Sequence, residues 1–327
     1  MRAAYIEQLG TPDVIRYGDL PEPASGPTDV LVRVAVTTVN PVDTFVRSGA
    51  YRTPVRFPFV IGRDLAGTVA AAGPGAAGFE IGDRVWCNSL GHAGRQGAAA
   101  ELAVVPVDRL YRLPAGVSES DAVAVAHPAA TAYLALFTHG RVRAGETVVV
   151  VGAGGNVGGA VVVLAADAGA RVVAVASARD AGYCHDLGAA EVVDYRAPDL
   201  ADRLRRASPD GVDAYVDTAG RNDLATAVDL LADRGRVVVL AGADTRPVLP
   251  VGDLYRKDCA VVGFVISQAT TAELAAAART INRLLAAGRL RPRTTDTLPL
   301  ADAAEAHRRL EAGALHGRRV VLRVAGS

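Results

Sequence analysis

The residues best placed to do chemistry are the glycines of Gly152-Ala-Gly-Gly-Asn-Val-Gly158-Gly159. Their spacing reads best as Gly152-x-x-Gly155-x-x-Gly158, with Asn156 and Val157 inside the string. A turn without side chains lets main-chain N–H groups approach a pyrophosphate. The start of a following helix adds unpaired donors and partial positive charge. Further on, Ser177 and Arg179 close an apolar run. A hydroxyl and a planar guanidinium at that point suit a ribose 2′-phosphate, and no acid stands at the tip of the run to take ribose hydroxyls instead. Asp180 follows directly and reads as a cap for the next helix. Together these residues point to a nicotinamide dinucleotide, and to NADPH ahead of NADH.

Other chemistries find less support. Cys87, Cys184 and Cys259 lie far apart with no CxxC, so neither a disulfide framework nor a structural zinc lobe is indicated. His92, His139, His185, His307 and His316 are scattered without a triad context, and His127 reads as a packing or pocket-wall residue. Thirty-five basic and 35 acidic residues balance, and Lys257 is the sole lysine. No basic stripe marks a nucleic-acid partner. No apolar stretch reaches the roughly 20 residues of a membrane span. Met1-Arg-Ala-Ala-Tyr5 runs straight into a strand-like pattern, which leads us to expect a cytoplasmic protein.

Several elements must position these residues. Thr147–Val151, the glycine turn, an alanine-rich helix and Arg171–Ala176 form a βαβ unit. Alternation continues through helix Asp180–Leu187, strand Glu191–Asp194, helix Leu200–Ala207, strand Val212–Val216, helix Leu224–Ala232, strands Arg236–Leu240 and Ala260–Val265, and helix Thr271–Ala287. That is a doubly wound parallel sheet of about six strands. Before it, Val30–Val39, Leu65–Ala72, Asp83–Trp86, Ala98–Val105 and Arg109–Leu113 are short strand candidates broken by Gly and Pro, as in a barrel-like β domain. Ser118-Glu-Ser-Asp121 reads as a helix start, with Ser118 or Ser120 as the N-cap, before a helical stretch over Ala122–Thr138 that the pattern splits near Pro128. A helix over Leu300–Leu310 and a strand over Arg319–Val324 end the chain.

In order along the chain, Val39-Asn-Pro-Val-Asp-Thr-Phe-Val-Arg-Ser-Gly-Ala-Tyr51, Ile61-Gly-Arg-Asp-Leu-Ala-Gly67, Gly82-Asp-Arg-Val-Trp86, Ala130-Thr-Ala-Tyr133, the glycine loop, Gly188-Ala-Ala-Glu-Val-Val-Asp-Tyr195 and Asp217-Thr-Ala-Gly220 resemble the zinc-independent, zeta-crystallin-like quinone oxidoreductases of the medium-chain dehydrogenase/reductase superfamily. The resemblance implies an α/β fold. A GroES-like β-rich catalytic domain (1–122 with the tail 292–327) is joined to a Rossmann NADPH-binding domain (123–291), with substrate expected between the halves. It implies hydride transfer from NADPH to a quinone or related conjugated carbonyl, a small-molecule substrate. The alternatives are an enoyl or enone (alkene) reductase of a biosynthetic pathway and a non-catalytic NADPH-binding protein.

The resemblance also assigns roles. Asn40 stands beside the nicotinamide ribose and Asp43 fixes its loop. Thr131 orients the carboxamide, and Tyr195 lines the 2′-phosphate. Thr218, Ala241, Phe264 and Val265 border the cofactor, mainly through backbone. Phe45 departs from the pattern, because many members carry Tyr there. Phenylalanine keeps an aromatic wall, with Tyr51 and Phe57, but donates no proton, which leaves Tyr51 or water as the acid. Zinc-dependent relatives draw metal ligands from the stretches holding Asn40, Arg63 and His127. An amide, a guanidinium and one imidazole make no zinc shell, so no metal is expected. Ala260–Ile266 matches the strand through which relatives pair, implying a homodimer.

Overall fold

Val30–Val39, read as a strand from its β-branched alternation, is the spine of one of two units. The computed structural model describes residues 1–324. The first unit is Met1–His127 with Thr270–Ser327, and the second is Pro128–Ala269. The first begins with β1 (Arg2–Ile6), β2 (Arg16–Asp19), β3 (Asp29–Thr38), α1 (Pro41–Ser48), β4 (Phe59–Val60), β5 (Leu65–Ala72), β6 (Arg84–Cys87), β7 (Leu102–Pro106) and β8 (Tyr111–Arg112). β3 pairs antiparallel with both β5 and β7. Its inward positions, Val30, Val32 and Val34, are almost wholly buried. This is the period-two alternation of a strand with one face on a core. Ile6, Phe59, Leu65, Val85, Leu90 and Val105 complete that core.

α2 (Glu119–Tyr133) starts where the sequence placed it, with Ser118 Oγ accepting from Asp121 N at 3.0 Å. It does not split at Pro128, which corrects the sequence expectation. Proline removes one N–H donor and crowds the carbonyl one turn back. Here every residue from Ala122 to Ala132 is buried, and packing on all sides outweighs that single lost bond. The helix continues as a π-helical turn over Leu134–His139, with Gly140 N bonded to Ala135 O at 2.8 Å.

The second unit contains β9 (Thr147–Val151), α3 (Asn156–Asp167), β10 (Arg171–Ala176), α4 (Ala181–Asp186), β11 (Glu191–Asp194), α5 (Leu200–Ala207), β12 (Val212–Asp217), α6 (Leu224–Leu230), β13 (Leu231–Val239), α7 (Val251–Arg256) and β14 (Ala260–Gly263). Its six strands run in the order β11-β10-β9-β12-β13-β14, every pair parallel. This is the doubly wound order, reversing direction between β9 and β12. Val148–Val150 and Val172–Ala174 are fully buried, as a sheet covered on both faces requires. β14 is an edge strand. Lys257 closes α6 by donating to the carbonyls of Val228, Asp229 and Leu231, favourable positions for a cation at a helix C-terminus.

The chain then returns to the first unit through α8 (Thr271–Ala286), β15 (Thr294–Pro299), α9 (Ala303–Glu311) and β16 (Arg318–Arg323). The boundary at 269/270 differs from the expected one at 291. α8 belongs with the barrel because Asn282 accepts from Trp86 Nε1 and donates to Arg112 O, both at 2.9 Å. β16 pairs antiparallel with β3, so the end of the chain closes the sheet begun near its start.

Arg236 on β13 is buried. It donates to Gly140 O, to Asp213 O at 2.9 Å and through both Nη atoms to Glu146. Replacing one partner of such a pair strands the other charge, so Arg236→Leu should lower unfolding free energy by about 3 kcal/mol. A urea midpoint unchanged from wild type would contradict this account of the second unit.

Candidate active site

The first unit gathers its polar residues around the end of β3. Asn40 caps α1 and is 1% exposed. Its backbone N–H goes to Asp43 Oδ2 at 2.7 Å, which anchors the first turn. Its side-chain Nδ2 donates to Asp64 Oδ2 at 2.9 Å, and its Oδ1 accepts from Arg319 Nη2 at 2.8 Å. Arg319 reaches from β16 and also donates to Thr38 Oγ1 and Val39 O. Three strands thus converge on one amide: β3 ends at it, β5 begins just after Asp64, and β16 brings the arginine. His127 of α2 lies with its Nδ1 3.4 Å from Asp64 Oδ1.

Burial dominates the electrostatics of this cluster. It pushes the Asp43 carboxyl up to about 6, and repulsion from Asp64 adds to the rise. The Arg63 charge, the Asn40 N–H and His127 pull the other way. Arg63 is 2% exposed and its pKa is lowered by burial, opposed by Asp43, Asp64 and Tyr51. Tyr51 faces the His92 ring at 5.9 Å, and Thr53 Oγ1 sits 3.1 Å from His92 Nδ1. Burial and the nearby Arg63, Arg95 and Arg109 hold His92 down at about 4. Phe45 and Phe57 are about half exposed, at 49% and 47%, and so leave apolar rings open on this unit.

In the second unit the glycine string does what its spacing requires. Gly152 takes a φ of 81°, turning the chain out of β9. Gly155 N bonds Gly152 O at 2.9 Å, and Gly155 is the N-cap of α3, which opens with Asn156 and Val157. A Cβ on Gly158 would lie 2.1 Å from Gly152 O, so only glycine lets the helix approach the strand this closely. Such a cradle fits a pyrophosphate at a helix start. Thr218, at the end of β12, donates to Val151 O at 2.7 Å. Ala241 O accepts from Asn222 Nδ2 at 3.0 Å, while Phe264 stacks on His139 at 4.5 Å. Val265 is exposed and Thr131 buried.

The tip of β10 differs in detail from a simple phosphate site. Ser177 Oγ donates to Asp180 Oδ2 at 2.5 Å, and both residues are buried. The Asp180 carboxylate also packs against Gly154, within 2.8 Å of where a Cβ would sit. The hydroxyl proton of Ser177 is therefore engaged by Asp180, and Arg179, largely exposed, has its Nε 3.9 Å from the same Asp180 Oδ2. Beyond β11, Arg196 and Arg221 lie 4.8 and 5.2 Å from the centre of the Tyr195 ring. Sequence reasoning did not single out these two arginines; their cue was a basic residue directly after Tyr195 and another after Gly220. Asp64 and Arg319 were also missed as site residues. Asp64 stood in the quoted Gly62-Arg-Asp-Leu string, but Arg319, one of three arginines in β16, carried no local signal.

Zinc does not fit the first cluster. Asn40 has its amide engaged, Arg63 is a cation and His127 is a single imidazole. No group of three His, Cys, Asp or Glu among the described residues could hold a metal ion. No described helix is long and apolar enough to cross a membrane.

Comparison with known proteins agrees with this architecture. Residues 26–115 match the alcohol dehydrogenase GroES-like domain family, and 187–321 match the zinc-binding dehydrogenase family. A quinone oxidoreductase of Mus musculus is 32% identical over 312 residues, covering 94% of this chain and 93% of that one. A solved NAD-dependent alcohol dehydrogenase superposes with a TM-score of 0.89 at 32% identity, covering 99% and 100% of the two chains. A mycobacterial protein solved with NADPH gives a TM-score of 0.83 at 30% identity, covering 99% of each.

Two outcomes test the site. Gly158→Ala should abolish dinucleotide binding in calorimetry, because its Cβ cannot coexist with Gly152 O at 2.1 Å. Unchanged binding would show that the turn is not the cradle. Asp43 tests the electrostatics. Its folded pKa of about 6 stands above 3.8, so its contribution to stability is full below 3.8 and lost as pH rises through about 6. By linkage the loss is about 3 kcal/mol. His307, held down at about 3 by burial, acts with the opposite sign: its contribution is present above 6.5 and lost as pH falls. The informative quantity is therefore Asp43→Asn minus wild type. That difference should rise between pH 4 and 6.5 in urea titrations; a flat difference contradicts the assignment.

Proposed function

The chain belongs to the quinone oxidoreductase group of the medium-chain dehydrogenase/reductase superfamily, and on that premise we propose that it moves a hydride from NADPH to a quinone or a related conjugated carbonyl. The observation that carries the cofactor choice is the arginine pair at Tyr195, with Arg179 exposed at the end of β10. Guanidinium forks suit a 2′-phosphate; of the acids nearby, Asp180 is buried against Ser177 and Gly154, and Asp194 accepts from the Arg196 backbone N–H. The solved mycobacterial relative with NADPH supports the same choice, while the NAD-dependent relative marks the alternative.

Bound NADPH supplies the hydride, and the chain supplies position and surroundings. Gly152, Gly155 and Gly158 take the pyrophosphate. Asn40 and Thr131 are the proposed partners of the nicotinamide half. Asn40's amide is already fixed by Asp64 and Arg319, so any bond it makes to a ribose hydroxyl comes from a pre-oriented group. Phe45, Tyr51 and Phe57 offer flat apolar surface to a flat acceptor. The alkene-reductase reading keeps one specific support. Reduction of a carbon–carbon double bond needs a proton for carbon, and His127 beside Asp64 is a candidate donor where Phe45 is not. We also propose that β14, an edge strand, pairs with a second copy.

Arg221→Ala and Arg179→Ala should each weaken NADPH binding about tenfold, as expected for losing one charge-assisted contact, and leave NADH binding unchanged. Fluorescence titration checks this, and equal losses for both cofactors would remove the 2′-phosphate assignment. In turnover assays 1,4-naphthoquinone should outrun a simple enone. A faster enone, with a rate sensitive to His127→Gln, would favour the alkene reductase.

A further inference from the structure

Four arginines are buried among the described residues: Arg47, Arg63, Arg236 and Arg319. Three of them have hydrogen-bond acceptors. Arg47 donates to Glu311, Arg236 to Glu146 and two carbonyls, and Arg319 to Asn40, Thr38 and Val39. Arg63 is the exception. Its Nε and Nη2 are buried with no hydrogen-bond partner, as are Nε and Nη1 of Arg47 and Nε of Arg319, but Arg63 alone of the four donates no side-chain hydrogen bond to a described residue. Of the acids whose charge it feels, Asp43 Oδ2 accepts from the Asn40 N–H and Asp64 Oδ2 from the Asn40 side chain, while Asp64 Oδ1 is buried without a hydrogen-bond partner, 3.4 Å from His127 Nδ1. A buried cation with unmet N–H groups is costly, and in a native protein such a group calls for a reason, a catalytic role among them.

The surroundings narrow what that can be. Tyr51 is close enough to act on Arg63 electrostatically, and so is His92, which is neutral at ordinary pH with its ionisation held at about 4. Zinc is excluded from this place by the donor set. Arg319, also buried, feels the same two acids but has acceptors in Asn40, Thr38 and Val39, so Arg63 is the guanidinium left without one. Hydride addition to a conjugated carbonyl places negative charge on oxygen. A pre-oriented cation in a site of low dielectric stabilises that charge much more than water does.

We propose that Arg63 is a catalytic residue, whose Nε–H and Nη2–H receive the acceptor's carbonyl oxygen as it becomes an oxyanion. The proposal rests on the reductase reading above and adds a requirement: the acceptor must carry a carbonyl oxygen able to take the charge. In the balanced step, the hydride pair leaves the nicotinamide and forms a bond to the acceptor. The acceptor's π electrons move onto its oxygen, which then takes a proton from water. The acceptor gains two electrons and the nicotinamide is oxidised.

The test uses the full chain with oxidised cofactor and 4-nitrophenol, whose phenolate mimics the product oxyanion and is visible by its absorbance. On wild type the bound probe should ionise at lower pH than in buffer. Arg63→Met should abolish that shift and Arg63→Lys should keep part of it. With quinone acceptors, kcat of Arg63→Met should fall by about a hundredfold or more, as for loss of an oxyanion donor, while cofactor affinity is unchanged. A wild-type protein that leaves the probe's ionisation where it is in buffer overturns the proposal, and so does a folded Met variant that keeps both the shift and kcat. If Arg63 only balances Asp43 and Asp64, the Met variant loses stability and the probe titrates alike on both proteins, which also overturns it. If wild type shifts the probe but reduces no quinone or enone, the reductase reading fails and the oxyanion site stands.

Discussion

One buried amide holds the first unit together. Asn40 is gripped from both sides, by Asp64 from 24 residues downstream and by Arg319 from 279 residues downstream. Neither contact is local, and both depend on sheet register. β5 must leave Asp64 at its start, and β16 must align Val321 with Thr38 for Arg319 to reach back. Each charged group in this knot is buried, so each is favourable only while the others are present. The same knot places Asp43, Arg63 and His127 around one point. The structural closure of the sheet and the chemistry of the site therefore share residues.

The second unit follows a different logic. Its site is made of backbone and absent side chains, with the Gly158 approach to Gly152 setting the distance between α3 and β9. Charge enters only at the rim, where Arg179, Arg196 and Arg221 stand at the ends of three successive parallel strands or the turns after them. Asp180 sits among them but is turned inward, onto Ser177 and Gly154. An acid in that orientation shapes the loop and stands 3.9 Å from the Arg179 guanidinium.

Much of this was readable in the chain. The run Thr147–Val151, the glycine string and Arg171–Ala176 became strand, turn and strand with the expected bounds, because β-branched runs and glycines act locally. Pro128 misled for the complementary reason: a local rule for breaking helices lost to burial on every side of α2. The placement of α8 depended on Asn282 meeting Trp86 and Arg112, far apart in sequence. Asn40 was recognisable as a candidate site residue, but its partners were not, since nothing near Arg319 distinguishes it from the other arginines of the tail. The unmet hydrogen bonds of Arg63 had no sequence signal. A missing partner shows only when every neighbour is placed.

In the reaction proposed above, a basic rim selects the dinucleotide and a buried cation receives the oxygen of its acceptor. A crystal structure with NADP⁺ and a bound phenolate tests this most directly. The expected result is 2′-phosphate oxygens within hydrogen-bond distance of Arg179 or Arg221 and the phenolate oxygen on Arg63. A 2′-phosphate without arginine contacts, with Asp180 rotated onto the ribose and Arg63 paired only to Asp43 or Asp64, would contradict it.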